Sequence, residues 1–396
     1  MKIETSDLAV VGGKPAFNRR LNVGQLDFPP WEEFEASFNG IFERRYYTNH
    51  GPLAQEFEAR LCECLGVKHA ITMTNATIGL MIAAKAMGLT GEIILPAFTF
   101  IASAQSLTWA GLDPVFCDVD PETHNISAEL VEPLISDNVS AIMGVHLWGN
   151  PCEVEALQAL ADYHGVQLYF DAAHAFASEY HGRRIGGFGE LEVFSFHATK
   201  IMNSAEGGVV CTNNGELAKR VRNIRSSYGA GPPVEIPLTG NGRFSEAQAA
   251  MGLMSLKSID SVLERGTRFR QVCADRLADL PGIKFVSVPD NMHNNNQYVV
   301  LEVNEEEFGL SRDELAHALK AENVYCRRYF RPGIHRTKYY STLKPQFVET
   351  LSVTDFLCRR VLQLPSGQEM DESKVESVCD LICFVQKHAS ELKSRI

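Results

Sequence analysis

From residue 50 to about 215, short unbroken apolar runs alternate with stretches of helical periodicity, a pattern that few folds accept. Residues 55–65 place Phe57, Leu61 and Leu65 on one face of a helix, and 69–73 then reads as a strand. Further helices are expected over 78–87, 102–110, 128–134 and 154–164, with strands over 92–96, 114–119, 141–145 and 167–170. These strands are apolar on both faces, which predicts an α/β fold with a mostly parallel sheet covered by helices on each side. Ligands of such sheets bind beyond the carboxyl ends of the strands. Asn75, Phe98, Asp171 and Lys200 all fall at or just after such ends.

The texture changes after residue 228. Residues 229–242, rich in Gly and Pro and without periodicity, read as a mobile loop. Helices are expected over 244–256, 259–280, 311–322 and 372–392, with strands over 286–288, 298–303 and 324–329. A chain of 396 residues is long for one core. The expected organisation is a large domain over 50–255 and a smaller α+β domain over 256–396, with residues 1–49 packing across the smaller one. Acidic and basic residues are interspersed and the formal net charge is −12, which disfavours a nucleic-acid partner. The absence of a long apolar run and of a basic, apolar leader points away from membranes and towards the cytoplasm. The ten cysteines fit a reducing compartment and show no four-ligand metal pattern, so no metal is expected.

The chemistry concentrates between residues 166 and 210. Asp171 ends an apolar strand, and a buried carboxylate there needs a partner such as a protonated pyridine nitrogen. Lys200 closes the segment Phe194-Ser195-Phe196-His197-Ala198-Thr199-Lys200, after a buried-strand signal. A lysine delivered into a cleft has its pKa lowered and can attack a carbonyl. Ser195 and the helix-opening turn Thr74-Asn75-Ala76-Thr77 suit a phosphate, the turn through free backbone N–H groups. Acid, phosphate site and amine together match what pyridoxal 5'-phosphate requires. Phe100 is placed to stack on a ring and His174 to reach a ring hydroxyl. Arg243, and the group Arg327, Arg328 and Arg331 with Tyr329 and His335, are candidate contacts for phosphates.

With these residues in place, the chain resembles the DegT/DnrJ/StrS family of sugar aminotransferases from about Asn49 onwards. The motifs that carry the resemblance include Thr48-Asn49-His50-Gly51-Pro52, Thr74-Asn75-Ala76-Thr77 and Leu95-Pro96-Ala97-Phe98-Thr99-Phe100. Val145-His146-Leu147-Trp148-Gly149, Asp171-Ala172-Ala173-His174-Ala175 and Ser195-Phe196-His197-Ala198-Thr199-Lys200 complete them. The resemblance implies fold type I, the aspartate aminotransferase fold, and a homodimer with its active site at the interface. It makes Lys200 the Schiff-base residue, Asp171 the partner of the pyridine nitrogen, and Ser195 with Ala76 and Thr77 the phosphate site. His174 stands where many members carry Gln, and Phe100 where an aromatic stacks on the ring. Arg243 lies near a position commonly occupied by an Asn donated from the partner subunit, and would take over that phosphate contact. Trp148 stands where Tyr is frequent. Thr48, Trp148, His197, Tyr329 and His335 are the expected substrate contacts.

Members whose lysine is replaced by His are dehydratases, so the presence of Lys200 favours transamination. Within the family the motifs are similar to those of the 4-aminotransferases acting on dTDP-4-keto-6-deoxyglucose in desosamine and viosamine synthesis. The implied reaction converts the cofactor to pyridoxamine 5'-phosphate with L-glutamate and then aminates C4 of the nucleotide-linked keto sugar. Amination at C3, a UDP-linked sugar and a sugar dehydratase are the alternatives.

Overall fold

Seven strands form the central sheet of the computed structural model, which describes residues 2–227, 234–236 and 238–395. Their spatial order is His69–Met73, Gly208–Thr212, Glu192–Ser195, Gln167–Asp171, Val139–Val145, Glu92–Pro96 and Asp113–Cys117. Gly208–Thr212 runs antiparallel to both neighbours, and the pairs beyond Glu192–Ser195 are parallel. The apolar runs are buried as the covered-sheet reading requires: Leu168, Tyr169 and Phe170 are all closed to solvent. Helices Pro52–Leu65 and Val154–His164 share one core with the sheet. Helices Ala76–Met87, Ile101–Trp109 and Gly215–Ser226 share the core on the other side.

The smaller C-terminal domain is α+β. Strands Ile283–Phe285, Val299–Val303 and Val361–Leu364 make an antiparallel sheet. Helices Ile259–Leu277, Arg312–Ala321 and Glu372–Lys387 bury its core. Leu8 and Leu21 from the N-terminal segment belong to that core, whereas helix Trp31–Arg44 packs on helix Glu246–Lys257.

Two strand expectations move. The strand expected over 286–288 lies instead at Ile283–Phe285, where the register with Val303 to Leu301 sets it. The strand expected over 324–329 stops at Tyr325. There the chain leaves the sheet and turns towards the large domain, and Phe330 packs edge-on against Phe98 at 5.3 Å. Of the expected loop 229–242, residues 229–233 and 237 lie outside the described residues.

Candidate active site

The carboxyl ends of the central strands converge on a cavity of about 560 Å³. Asp171 is the last residue of its strand, in register with Val193 of the next. That second strand continues through Ser195 into a loop that carries Lys200 and returns as Gly208–Thr212. The loop is held by backbone bonds from Phe196 to Gly207, from Ala198 to Ala205 and from Lys200 to His197. Sheet register therefore delivers the acid and the amine to one rim.

Helix Ala76–Met87 starts at the same rim. Asn75 caps it by accepting from the Ile78 amide at 2.9 Å, and the amides of Ala76 and Thr77 have no carbonyl one turn back. Both residues line the cavity with Ser195. The approach of this helix to the sheet depends on Gly208, where a Cβ would sit 2.7 Å from the Ala76 nitrogen. A helix N-terminus with free amides beside a hydroxyl suits a phosphate.

Asp171 is buried, and burial pushes its carboxyl up, against the Ser103 and Ala173 hydrogen bonds and the more distant charges of Lys200 and His146. The Ser103 hydroxyl donates to Oδ2 at 2.7 Å and the Ala173 amide to Oδ1 at 3.1 Å. Among the described residues no cation forms an ion pair with it. Lys200 is half-buried, and desolvation lowers its amine to about 7, opposed by Asp171 and helped by Arg327. Its Nζ donates to the Tyr298 hydroxyl at 3.1 Å. His174 is held well below its ordinary value by burial and by Lys200, so it is neutral. The Trp148 amide donates to His174 Nδ1 at 3.4 Å, which leaves Nε2 as the protonated nitrogen. Phe100, 50% exposed, forms a further wall.

These groups fit pyridoxal phosphate. An unpaired buried carboxylate suits a ring N–H⁺, a neutral histidine N–H suits a ring oxygen, and amides with a hydroxyl suit the phosphate. His197 and Tyr329 also line the cavity.

Four expected contacts do not line this cavity within the chain. Trp148 is buried behind the wall: its ring stacks on His174 at 5.8 Å and on Phe330 at 5.2 Å, and its indole N–H donates to His124. His335 is fully buried and bonded to Asp355 at 3.1 Å, so it supports the fold away from the cavity. Thr48 is exposed and does not line the cavity of its own chain. Arg243 donates to the Ser226 carbonyl at 3.1 Å and likewise stays outside.

Of the basic group near Tyr329 only Arg327 turns inward, while Arg328 and Arg331 both pair with Asp313. Ser103, Tyr298, Glu206 and Phe330 were not legible as site residues. Ser103 is reached only because helix Ile101–Trp109 lies over the Asp171 strand end, and Tyr298 comes from the other domain.

The DegT/DnrJ/EryC1/StrS aminotransferase family matches residues 31–383. The chain belongs to this family. Two family relatives bear the name dTDP-4-amino-4,6-dideoxy-D-glucose transaminase. One, from Shigella dysenteriae, is 35% identical over 93% of this chain and 98% of its own length. The other, from Escherichia coli, is 31% identical over 92% and 98%. The solved structure of DesI in the presence of its TDP-sugar product is 41% identical and covers 99% of both chains, with a TM-score of 0.94. Family members of this kind are nucleotide-sugar aminotransferases of fold type I, and the seven-stranded sheet and cavity described above are that architecture.

Proposed function

We propose that this chain is the aminotransferase that moves an amino group from L-glutamate to C4 of dTDP-4-keto-6-deoxyglucose. The products are dTDP-4-amino-4,6-dideoxyglucose and 2-oxoglutarate. The observation that carries the reading is the full-length similarity to two relatives of that name, joined to a cavity that keeps an amine, a lone buried acid and a phosphate cradle together.

Pyridoxal phosphate supplies the electron sink that lets a proton leave the carbon bearing the nitrogen. Asp171 would keep a proton on the ring nitrogen, because a buried carboxylate without another cation stabilises that charge strongly. Asn75 orders the turn whose Ala76 and Thr77 amides, with Ser195, would hold the phosphate. His174 would donate from Nε2 to the ring oxygen, and Phe100 would cover a ring face. Lys200, with its amine lowered to about 7, would carry the proton to and from the carbon that bears the nitrogen. His197 and Tyr329 line the space left for the sugar.

The working unit is a homodimer in the cytoplasm. A second copy would bring Arg243 and Thr48 to a cavity they do not reach within one chain, and would cover the half-exposed Phe100. The cytoplasmic assignment is supported by ten free thiols, and among the described residues no helix is long and apolar enough to cross a membrane.

The test is incubation with L-glutamate and a panel of dTDP- and UDP-linked keto sugars, reading 2-oxoglutarate and the position of the new amine by NMR. A C4 amine on the dTDP sugar is expected. Amination at C3, preference for UDP, or product without 2-oxoglutarate would each overturn it.

A further inference from the structure

We propose that His124 and Glu302 are positioning residues for the active site, holding Trp148 so that His174 and Tyr298 keep their places beside the cofactor and Lys200. The assignment rests on the aminotransferase reading and comes from a buried polar chain that crosses between the domains. Glu302, on strand Val299–Val303 of the small domain, meets His124 Nε2 with its Oε1 at 3.3 Å. His124 Nδ1 accepts the Trp148 indole N–H at 3.1 Å. All three side chains are buried. An indole nitrogen can only donate, so His124 Nδ1 carries no proton and its Nε2–H donates to the carboxylate. Each link fixes the next, and the chain has one arrangement.

Trp148 needs such a hold. Its backbone is left-handed, with φ 59°, a conformation costly for a bulky side chain. From that turn its amide donates to His174 Nδ1 at 3.4 Å, which is what places the His174 proton on Nε2. Its ring stacks on His174 at 5.8 Å and meets Tyr298 edge-on at 5.9 Å. Tyr298 in turn accepts from Lys200. The segment leading into strand Val299–Val303 ties down the same turn: Asn294 Nδ2 donates to the Trp148 carbonyl at 3.2 Å, and Asn295 Nδ2 to the His174 carbonyl at 2.8 Å. Phe98 lies edge-on to both His124 and Trp148, and Phe330 stacks on the indole. Among apolar rings, polar groups are costly unless paired, and paired they select one orientation. An indole without its anchor would turn, releasing His174 from its tautomer and Tyr298 from Lys200.

The experiment titrates the visible absorbance of the pyridoxal-phosphate-loaded protein with pH and measures cofactor affinity by equilibrium dialysis. His124→Phe should weaken cofactor binding about fivefold or more and displace the titration midpoint by roughly half a pH unit or more. Glu302→Gln, whose side-chain oxygen still accepts from His124, should stay near the unaltered protein, whereas Glu302→Leu should follow His124→Phe. His335→Phe is the control. It removes a buried, carboxylate-bonded histidine away from the cavity, so it should lower the melting temperature and leave midpoint and affinity unchanged. An unmoved midpoint and affinity in His124→Phe or in Glu302→Leu would overturn the proposal, as would an equal displacement in His335→Phe. If His124→Phe does not fold, the two Glu302 variants carry the same comparison. No sugar takes part, so the result stands apart from the keto-sugar assay. An unaltered chain that develops no visible band with pyridoxal phosphate would instead remove the aminotransferase reading, and this proposal with it.

Discussion

Asp171 and Glu58 are equally buried, each about 5% exposed, yet their surroundings are opposite. Glu58 accepts from Arg222 at 2.7 Å, Arg225 at 3.2 Å, His50 at 2.9 Å and both donors of Thr72 at 2.9 Å. Those partners outweigh desolvation and pull its carboxyl down to about 2. Asp171 has one hydroxyl and one amide, and desolvation wins, raising its carboxyl. A carboxylate fully paired by its own protein is committed to the fold. One left without a cation in a cavity is available to a ligand.

Substitutions at the two carboxylates should separate these roles. Asp171→Asn should cut glutamate-dependent formation of 2-oxoglutarate by about 10²- to 10⁴-fold while the melting temperature holds or rises. A large drop in melting temperature would make Asp171 structural and erase the contrast. Glu58→Ala should cost about 3–5 kcal/mol in denaturant unfolding, because it strands two arginines in a mostly buried site. The same glutamate sets an acid limit. Its carboxyl is lowered in the folded protein, so its stabilisation is complete above about 4.5 and lost as pH falls towards about 2. Unfolding free energies measured across that window should fall in the native chain and vary less in Glu58→Gln.

Gly208→Ala tests the phosphate end of the Asp171 site. Its Cβ would push on Ala76, so a loss of about 1–3 kcal/mol in stability is expected, together with weaker cofactor retention on dialysis. The smallest effect concerns Lys200. Its neutral form is the nucleophile, so the rate at which cofactor-free protein recovers visible absorbance on adding pyridoxal phosphate should rise with pH and level off just above 7. A midpoint near that of a free lysine would mean that the amine is solvated.

Legibility followed the range of the interactions. Val154–His164 and His69–Met73 fall where the periodicity placed them, because each is set by residues within its own segment. Asp171, Lys200, Ser195 and the Asn75 turn were readable as candidates because strand ends and a helix start are local signals. Tyr298, Ser103 and Arg327's inward turn were not, since each depends on which distant element lies opposite. Trp148 and His335 lie away from the cavity for the same reason: a polar aromatic looks identical in sequence whether it faces ligand or core.

By itself the sequence determined the covered parallel sheet, through strands apolar on both faces, and the acid and amine at its carboxyl edge. The tertiary structure alone decided that Asp171 stays without an ion-pair partner while Glu58 has two arginines. It also decided that Arg327, alone of its cluster, turns into the cavity. Charge pairing depends on distance in space, and that distance is created only when segments far apart in the chain pack together.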